Sequence, residues 1–248
     1  MTTNTGDAPR LAASQHSRAL DRLGQMICSG ELEGGASLTL EEIEAECEVS
    51  RSVARETVRV LESMGLVESR RRVGVIVQPA AVWNLYDPQV IRWRLASPDR
   101  ADQLASMVEL RAAIEPEAAR LAASRATSEQ VSDLIALSGR LWAAGERGDD
   151  AAFLELDVEF HAHILELSGN PMFSRMGGLI SQALVSRKEH GLGPEHPAGV
   201  ALQKHVDVAS AIQRRDPDGA HDVMRSILVG ALDEIDVLAA AKGEPRSR

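Results

Sequence analysis

Apolar residues recur at helical spacing along most of the chain, and the pattern changes near residue 80. Before that point the helical segments are short and lead into two alternating apolar runs. After it, long amphipathic segments follow one another with only short breaks. Ala and Leu are plentiful, while aromatic residues make up 3% of the chain, which favours helices over sheets. The pattern predicts a mainly helical protein in two parts.

The N-terminal part is predicted to contain three helices followed by a β-hairpin. Helices are predicted at 14–29, at about 40–47 and from Val49-Ser50 to Gly65, and strands at 66–69 and 73–77. Ser50 is a plausible N-cap, and Gly65 follows its helix in the manner of a C-cap glycine. Three helices and a hairpin predict a winged helix-turn-helix.

The C-terminal part is predicted to be an all-α antiparallel bundle. Seven helices are predicted, at 83–96, 99–124, 128–147, 150–168, 171–190, 198–214 and 217–241. Asn170-Pro171 and Asp216-Pro217 each place a capping side chain before a proline at the first helical position. Short connections favour antiparallel neighbours.

These patterns predict five segments along the chain. They are a disordered tail at 1–13, a winged helix-turn-helix domain at 14–79, a linker helix at 80–97, an all-helical domain at 98–241 and a flexible tail at 242–248. The linker helix carries three aromatic side chains, Trp83, Tyr86 and Trp93.

Charge and cysteine content narrow the class of protein. The net charge of −10 argues against indiscriminate coating of nucleic acid, but between Arg51 and Arg72 six arginines face three glutamates. Two cysteines cannot build a disulfide framework, and no apolar run is long enough for a membrane span or signal peptide. A reduced, cytoplasmic location is expected.

The stretch "VSRSVARETVRVLESMGLVESRRRVGVIV" resembles the DNA-binding signature of the GntR family of bacterial transcription regulators. Nearly every signature position is filled, with Ala54 where the family usually has valine. The resemblance implies that a pseudo-palindromic double-stranded DNA operator is bound by a homodimer. The residues it assigns to DNA binding are Ser50, Arg51, Ser52, Arg55, Arg70, Arg71, Arg72 and Gly74.

Elementary chemistry agrees with this assignment. Arginine in the first turns of a recognition helix can bond guanine O6 and N7 together, and the wing arginines suit phosphate or minor-groove contact, with Gly74 allowing close approach. The alternative is a solvated basic helix face. The preceding helix departs from the family, because "LEEIEAE" is acidic where the family carries a base and is one residue closer to the signature. A phosphate contact from that helix is therefore not expected.

The second part resembles the FCD domain of the FadR subfamily within GntR. The resemblance rests on "ELRAAIEPEAARLAA", "DVEFHAHILELSGNP", "KHVDVASAI" and "DPDGAHDVM". Together with "WNLYDPQVIRWRLA", it is similar to the branch that responds to sugar acids such as galactonate or gluconate.

Asp157 and His161 are four residues apart, so they share one face of a helix. Such a pair could belong to a metal site, to a catalytic apparatus or to a satisfied polar pair, and alone it is more often structural. His163 projects away from this face.

The resemblance favours the metal site. In the family, Asp-x3-His supplies two ligands, which Asp157 and His161 match, and His205 matches a third. The usual fourth position is Ile227 in this chain, and His221 lies about 120° off the expected face. Three ligands still make a workable site for a divalent ion, with zinc expected, and leave positions open for water or a chelating hydroxy acid.

An anionic effector also needs a cation. Arg111 matches an arginine that the family points into its pocket, and Arg187 lies on a helix that lines it. The alternative for each is a surface ion pair. Asn170 is foremost a helix cap and is a further candidate for effector binding.

The leading hypothesis is a repressor of sugar-acid catabolism, released by a carboxylate effector bound near the metal. It is not expected to be an enzyme. A metal-dependent hydrolase is the alternative, but no general base faces Asp157 and His161 and no HExxH pattern is present. A third possibility keeps the regulator and makes the metal purely structural.

Overall fold

The computed structural model describes residues 7–191, 199–241 and 243, and the chain divides into two compact units, residues 1–100 and 101–248. The first unit contains α1 (Asp7–Cys28), β1 (Ser37–Leu38), α2 (Leu40–Cys47), α3 (Arg51–Ser63), β2 (Val67–Arg70), β3 (Gly74–Val77), a 3-10 turn (Ala80–Val82) and α4 (Pro88–Leu95). The strands form one antiparallel sheet in the order β1-β3-β2.

The local sequence explains where α2 and α3 begin. Thr39 and Glu42 form a reciprocal capping box at the start of α2. Ser50 occupies the N-cap of α3, but its hydroxyl makes no bond to the helix backbone and instead lies 3.0 Å from the hydroxyl of Ser52. Glu48, which ends α2, adopts a left-handed conformation with φ 53°. The connection between the two helices is therefore short and sharply turned.

The linker helix begins later than predicted and belongs to the first unit. Asp87 accepts hydrogen bonds from the backbone at Gln89 and Val90, so α4 starts at Pro88 rather than at residue 83. Trp93 is 1% exposed, and its ring lies directly over Gly24 of α1. Trp93 is therefore part of the same core as α1, α3 and the sheet.

Residues 7–13, which the sequence assigns to a disordered tail, are helical because α1 already begins at Asp7. Residues 1–6 of that tail lie outside the described residues. So does the predicted tail at 242–248, apart from Gly243.

Every regular element among the described residues of the second unit is a helix. Its helices are α5 (Arg100–Arg125, whose first residue lies in the first unit), α6 (Ser128–Glu146), α7 (Asp150–Leu167), α8 (Pro171–Ser174), α9 (Gly177–Glu189), α10 (Gly199–Gln213) and α11 (Pro217–Ala241). The single helix predicted at 171–190 is wrong, because a turn at Arg175 and Met176 separates α8 from α9. Two glycines, Gly177 and Gly178, follow that turn, and glycine disfavours helix continuation.

Packing around α6, α7 and α10 forms the core of the second unit. α6 packs against α7 and α10, α7 against α9, and α10 against α11. Gly145 of α6 is tight against Leu202 of α10, which brings these two helices close together. The predicted fold class, a winged helix-turn-helix followed by an all-α domain, is confirmed. Across the described part of the chain, no helix combines the length and apolar character that a membrane crossing needs.

Candidate functional site

The predicted DNA-binding side chains of the first unit lie on its surface. Ser50 is the N-cap of α3, and Arg51, Ser52 and Arg55 occupy its first two turns, all exposed. The three wing arginines, residues 70–72, are exposed at the end of β2 and in the turn before β3. The start of α3 and the wing therefore both present cations to solvent.

Arg51 is held by the acidic helix that precedes it. One of its terminal nitrogens lies 2.7 Å from a carboxylate oxygen of Glu41 and 3.6 Å from one of Glu44. The hydrogen bond from Arg51 lowers the pKa of Glu41. The acidic helix α2 therefore offers no basic side chain for a phosphate contact. It also forms an ion pair with Arg51, an arginine that is predicted to read bases.

Gly74 has a structural reason to be glycine. Its φ is 112°, and a Cβ there would lie 2.5 Å from the carbonyl oxygen of Leu38 on the neighbouring strand. The expectation from the sequence is that Gly74 is small so that DNA can approach closely. The structure attributes it to the close antiparallel pairing of β3 with β1.

In the second unit, three buried side chains come together from two helices. Asp157 and His161 lie one turn apart on α7, and His205 lies on α10. Their relative exposures are 8%, 1% and 4%. One ligating atom from each residue lies within 4.8 Å of the others.

The spacing of these atoms fits a small divalent ion. Oδ1 of Asp157 lies 3.5 Å from Nε2 of His161 and 3.0 Å from Nε2 of His205. Ligand atoms about 2.1 Å from a tetrahedral ion lie about 3.4 Å apart. Oδ1 of Asp157 and Nε2 of His205 are both buried. Although they are close together, they are not aligned for a hydrogen bond, and neither atom has another hydrogen-bond partner among the described residues. Two orphaned atoms facing one point are what a bound metal would satisfy.

The remaining nitrogen of each histidine is anchored, which leaves Nε2 for the ion. Nδ1 of His205 donates to the backbone oxygen of Ala201 at 2.8 Å, and Nδ1 of His161 donates to Glu115 at 2.5 Å. Such outer contacts fix the tautomer and orientation of a metal-binding histidine. Phe160 packs edge-on against both imidazoles.

Glu115 links the cluster to Arg111 in a buried chain. Arg111 Nε donates to Glu115 Oε1 at 2.5 Å, and the other Glu115 oxygen accepts from His161. Burial opposes ionisation of Glu115, but the positive charges of Arg111 and His161 lower its pKa to about 2. Burial also opposes a charged His161, but Glu115 and Asp157 raise its pKa to about 9. Glu115 is therefore ionised at neutral pH, and His161 must release the proton on Nε2 before that nitrogen can bind a metal ion.

The cluster forms part of the wall of a cavity of about 270 Å³ between α5, α7, α9, α10 and α11. Arg111 and Arg187 both line it, as the sequence predicts, and so does Ile227 at the usual fourth-ligand position. Each arginine already has a carboxylate partner, Glu115 for Arg111 and Glu234 for Arg187. Burial lowers the pKa of Arg187, and the charge of Glu234 partly offsets that effect.

Asn170 does not reach the cavity. Its side chain accepts a hydrogen bond from the backbone of Met172 and caps α8, which is the first of the two roles that the sequence predicts for it. His221 is also absent from the described lining, and its Nδ1 bonds to the neighbouring Asp222.

Sequence reasoning missed several residues of this site, and Glu115 and Lys204 are the two with the greatest consequence. Glu115 lies four positions after Arg111, a spacing that is equally typical of an exposed ion pair. Lys204 directly precedes His205 and lines the cavity. The sequence signal for Lys204 was its position in the "KHVDVASAI" segment, one residue before a predicted ligand.

Comparison with known proteins assigns both units to one family. Residues 15–77 match the model of bacterial regulatory proteins of the gntR family, and residues 106–230 match the FCD domain. The Galactonate operon transcriptional repressor of Escherichia coli is 30% identical over 216 residues, covering 86% of this chain and 93% of that protein. The HTH-type transcriptional repressor NanR of Klebsiella aerogenes is 32% identical over 216 residues, covering 84% and 80%.

Among solved structures, the Streptococcus agalactiae GntR protein superposes with a TM-score of 0.50 at 28% identity, covering 88% of this chain and 99% of that one. The galactonate and NanR relatives are named as transcriptional repressors, and the matched family model is that of bacterial regulatory proteins, so the prediction that the chain is not an enzyme is confirmed. The chain belongs to the GntR family of DNA-binding transcription regulators and carries the C-terminal FCD domain typical of the FadR subfamily.

Proposed function

We propose that this regulator is a homodimeric repressor of a sugar-acid operon, and that a small carboxylate effector lowers its affinity for the operator. The observation that carries the proposal is the second unit's cavity, which combines the Asp157, His161 and His205 cluster with cationic side chains. The relative named for the galactonate operon supports the choice of effector class.

Asp157, His161 and His205 would hold the divalent ion, for which we propose zinc. When bound, the ion supplies a Lewis-acidic centre with positions available to oxygen atoms of a hydroxy acid. The protein supplies the rest: Glu115 and Ala201 hold the two imidazoles, and Arg111 neutralises Glu115 behind them. Ile227 contributes an apolar surface where a fourth ligand would close the site.

In the DNA-binding unit, the first turns of α3 would read base edges, and the wing arginines would contact the backbone or minor groove. Two copies of this DNA-binding unit, one from each protomer of the dimer, would match the two halves of a pseudo-palindromic operator. An effector lowers operator affinity only by as much as it prefers the released form of the dimer.

The test uses a duplex selected from a random library and the full-length, zinc-loaded protein at fixed salt. We expect D-galactonate or D-gluconate to weaken duplex binding, measured by fluorescence anisotropy. Absence of any duplex preference would overturn the proposed operator recognition, and an unchanged affinity with both aldonates would overturn the effector class. The Gly230→Leu variant is a steric control that fills part of the cavity. Gly230 lines the cavity, and a Cβ there meets no atom within 4 Å. It should keep duplex binding and lose the aldonate response.

Metal removal separates a functional ion from a structural one. After dialysis against EDTA, we expect the aldonate response to disappear and to return when zinc is restored. If chelation lowers the melting temperature and leaves the aldonate response intact, the ion is structural instead.

A further inference from the structure

The arginine and lysine side chains that line the cavity are not equivalent, because most of them are already paired with carboxylates. Three of the four are paired with carboxylates: Arg111 with Glu115, Arg187 with Glu234 and Lys188 with Asp150. The fourth, Lys204, has no carboxylate partner among the residues that the structure describes. Among the described arginines and lysines of the cavity, Lys204 is therefore the one whose charge is not compensated by a carboxylate.

Lys204 is held in place by a neutral group. Its Nζ donates to the backbone oxygen of Ser226 at 3.0 Å, and the residue is half-buried. An ammonium group has three donors, and this bond uses one of them. Two donors and a full positive charge remain for a ligand.

The position of Lys204 connects it to the metal cluster. It directly precedes His205 on α10, and its carbonyl partner, Ser226, directly precedes Ile227 on α11. Both His205 and Ile227 line the same cavity. The ammonium group is thus fixed between the two helices that carry the third ligand and the position open to an effector.

A carboxylate entering the cavity meets different costs at each cation. To bind Arg111, it must compete with Glu115, which is fully buried and would lose one of its two buried partners. At Arg187 it must compete with Glu234, whose side chain is 44% exposed, so the cost is smaller but an ion pair is still broken. Lys204 requires no ion pair to be broken.

We infer that Lys204, rather than Arg111 or Arg187, binds the carboxylate of the effector and sets the preference of the cavity for anions. This inference rests on the proposed function and names the contact within it. The ligand class is a small hydroxy acid, because about 270 Å³ is too little space for a long acyl chain.

The experiment compares three variants of the zinc-loaded, full-length protein by isothermal titration calorimetry. The probes are D-galactonate and oxalate, a small chelating dianion. Lys204→Gln should weaken binding of the anion by at least about tenfold, since it removes a charge-assisted hydrogen bond. Lys204→Arg retains the charge and should recover part of the loss. Lys188→Gln is the matched control, a neighbouring lysine already paired with Asp150, and should weaken binding by less than about threefold.

The outcomes distinguish this inference from the proposed function. If Lys204→Gln and Lys188→Gln weaken galactonate binding equally, the role of Lys204 is overturned, and the aldonate remains the effector. If galactonate does not bind but oxalate does, with the tenfold loss in Lys204→Gln, the effector class is wrong and the role of Lys204 stands. If neither probe binds, both are overturned. An unchanged melting temperature and zinc content in Lys204→Gln would assign the loss to the contact itself.

Discussion

The two units use their charged residues in opposite ways. In the first unit, Arg51 and Arg55 are exposed on α3, and Arg51 is paired with Glu41 and Glu44 of the preceding helix. In the second unit, Arg111, Glu115 and His161 form a continuous chain in which each residue is at most 2% exposed. The exposed arginines of α3 can bind a partner from solution, whereas the buried charges of the second unit are already paired with one another.

This difference determines how separable function is from stability. Exposed ion pairs contribute about 0–1 kcal/mol, so a surface arginine can change its partner at little energetic cost. Removing one member of a buried pair leaves an uncompensated charge and costs about 3–5 kcal/mol. Operator recognition should therefore be alterable without unfolding the protein, whereas the deep wall of the cavity should not.

The largest effect is expected from Glu115→Gln. The substitution keeps the shape of the side chain but leaves the Arg111 guanidinium buried without a counter-charge, so we expect the free energy of unfolding to fall by about 3 kcal/mol or more. Urea denaturation of the full-length chain, followed by circular dichroism, measures it.

Glu117→Gln provides the control for that experiment. Glu117 lies on the same helix two residues later, is half-exposed and lies 3.3 Å from Arg120. Its loss should change stability by no more than about 0.5 kcal/mol. Equal destabilisation by the two variants would mean that the buried chain has no special energetic weight.

A smaller effect, confined to DNA binding, is expected from Arg51→Ala. Loss of a bidentate contact to guanine should weaken operator binding by about 1–3 kcal/mol, while stability changes by less than about 0.5 kcal/mol. Arg59→Ala tests the assignment, because Arg59 is exposed further along α3 and pairs with Glu56. Anisotropy titrations that give the same loss for both variants would contradict a reading role for Arg51.

Much of the fold was predictable because long amphipathic helices carry a strong periodic signal. The helix predicted at 217–241 has those bounds in the structure, and the one predicted at 198–214 is observed as Gly199–Gln213. Weak signals failed where the element is short. Strand β1 has two residues, Ser37 and Leu38, too few to show any alternation.

The candidate site was predictable only in part, because spacing along a helix does not report burial. Asp157 and His161 share a helix face in the sequence, and the structure brings His205 to them. The same i, i+4 spacing joins Arg111 to Glu115, yet nothing in the sequence says that this pair is buried rather than solvated. The pairing of Arg187 with Glu234, 47 residues later, depends on how α9 and α11 pack.

The smallest effect is expected from Glu41→Gln, and it examines the exposed side of the comparison. Its carboxylate occupies Arg51 at 2.7 Å, so it competes with DNA for that guanidinium and holds it in one orientation. Releasing Arg51 should raise affinity for random-sequence duplex by about twofold to fivefold, within the free energy of a surface ion pair, and should lower the ratio of operator to random binding.

Glu42→Gln makes the same change in net charge one residue away. The carboxylate of Glu42 instead completes the capping box with Thr39, a role that glutamine can also fill. Should both variants raise random-sequence affinity equally, the gain would reflect net charge alone, and Glu41 would have no specific hold on Arg51.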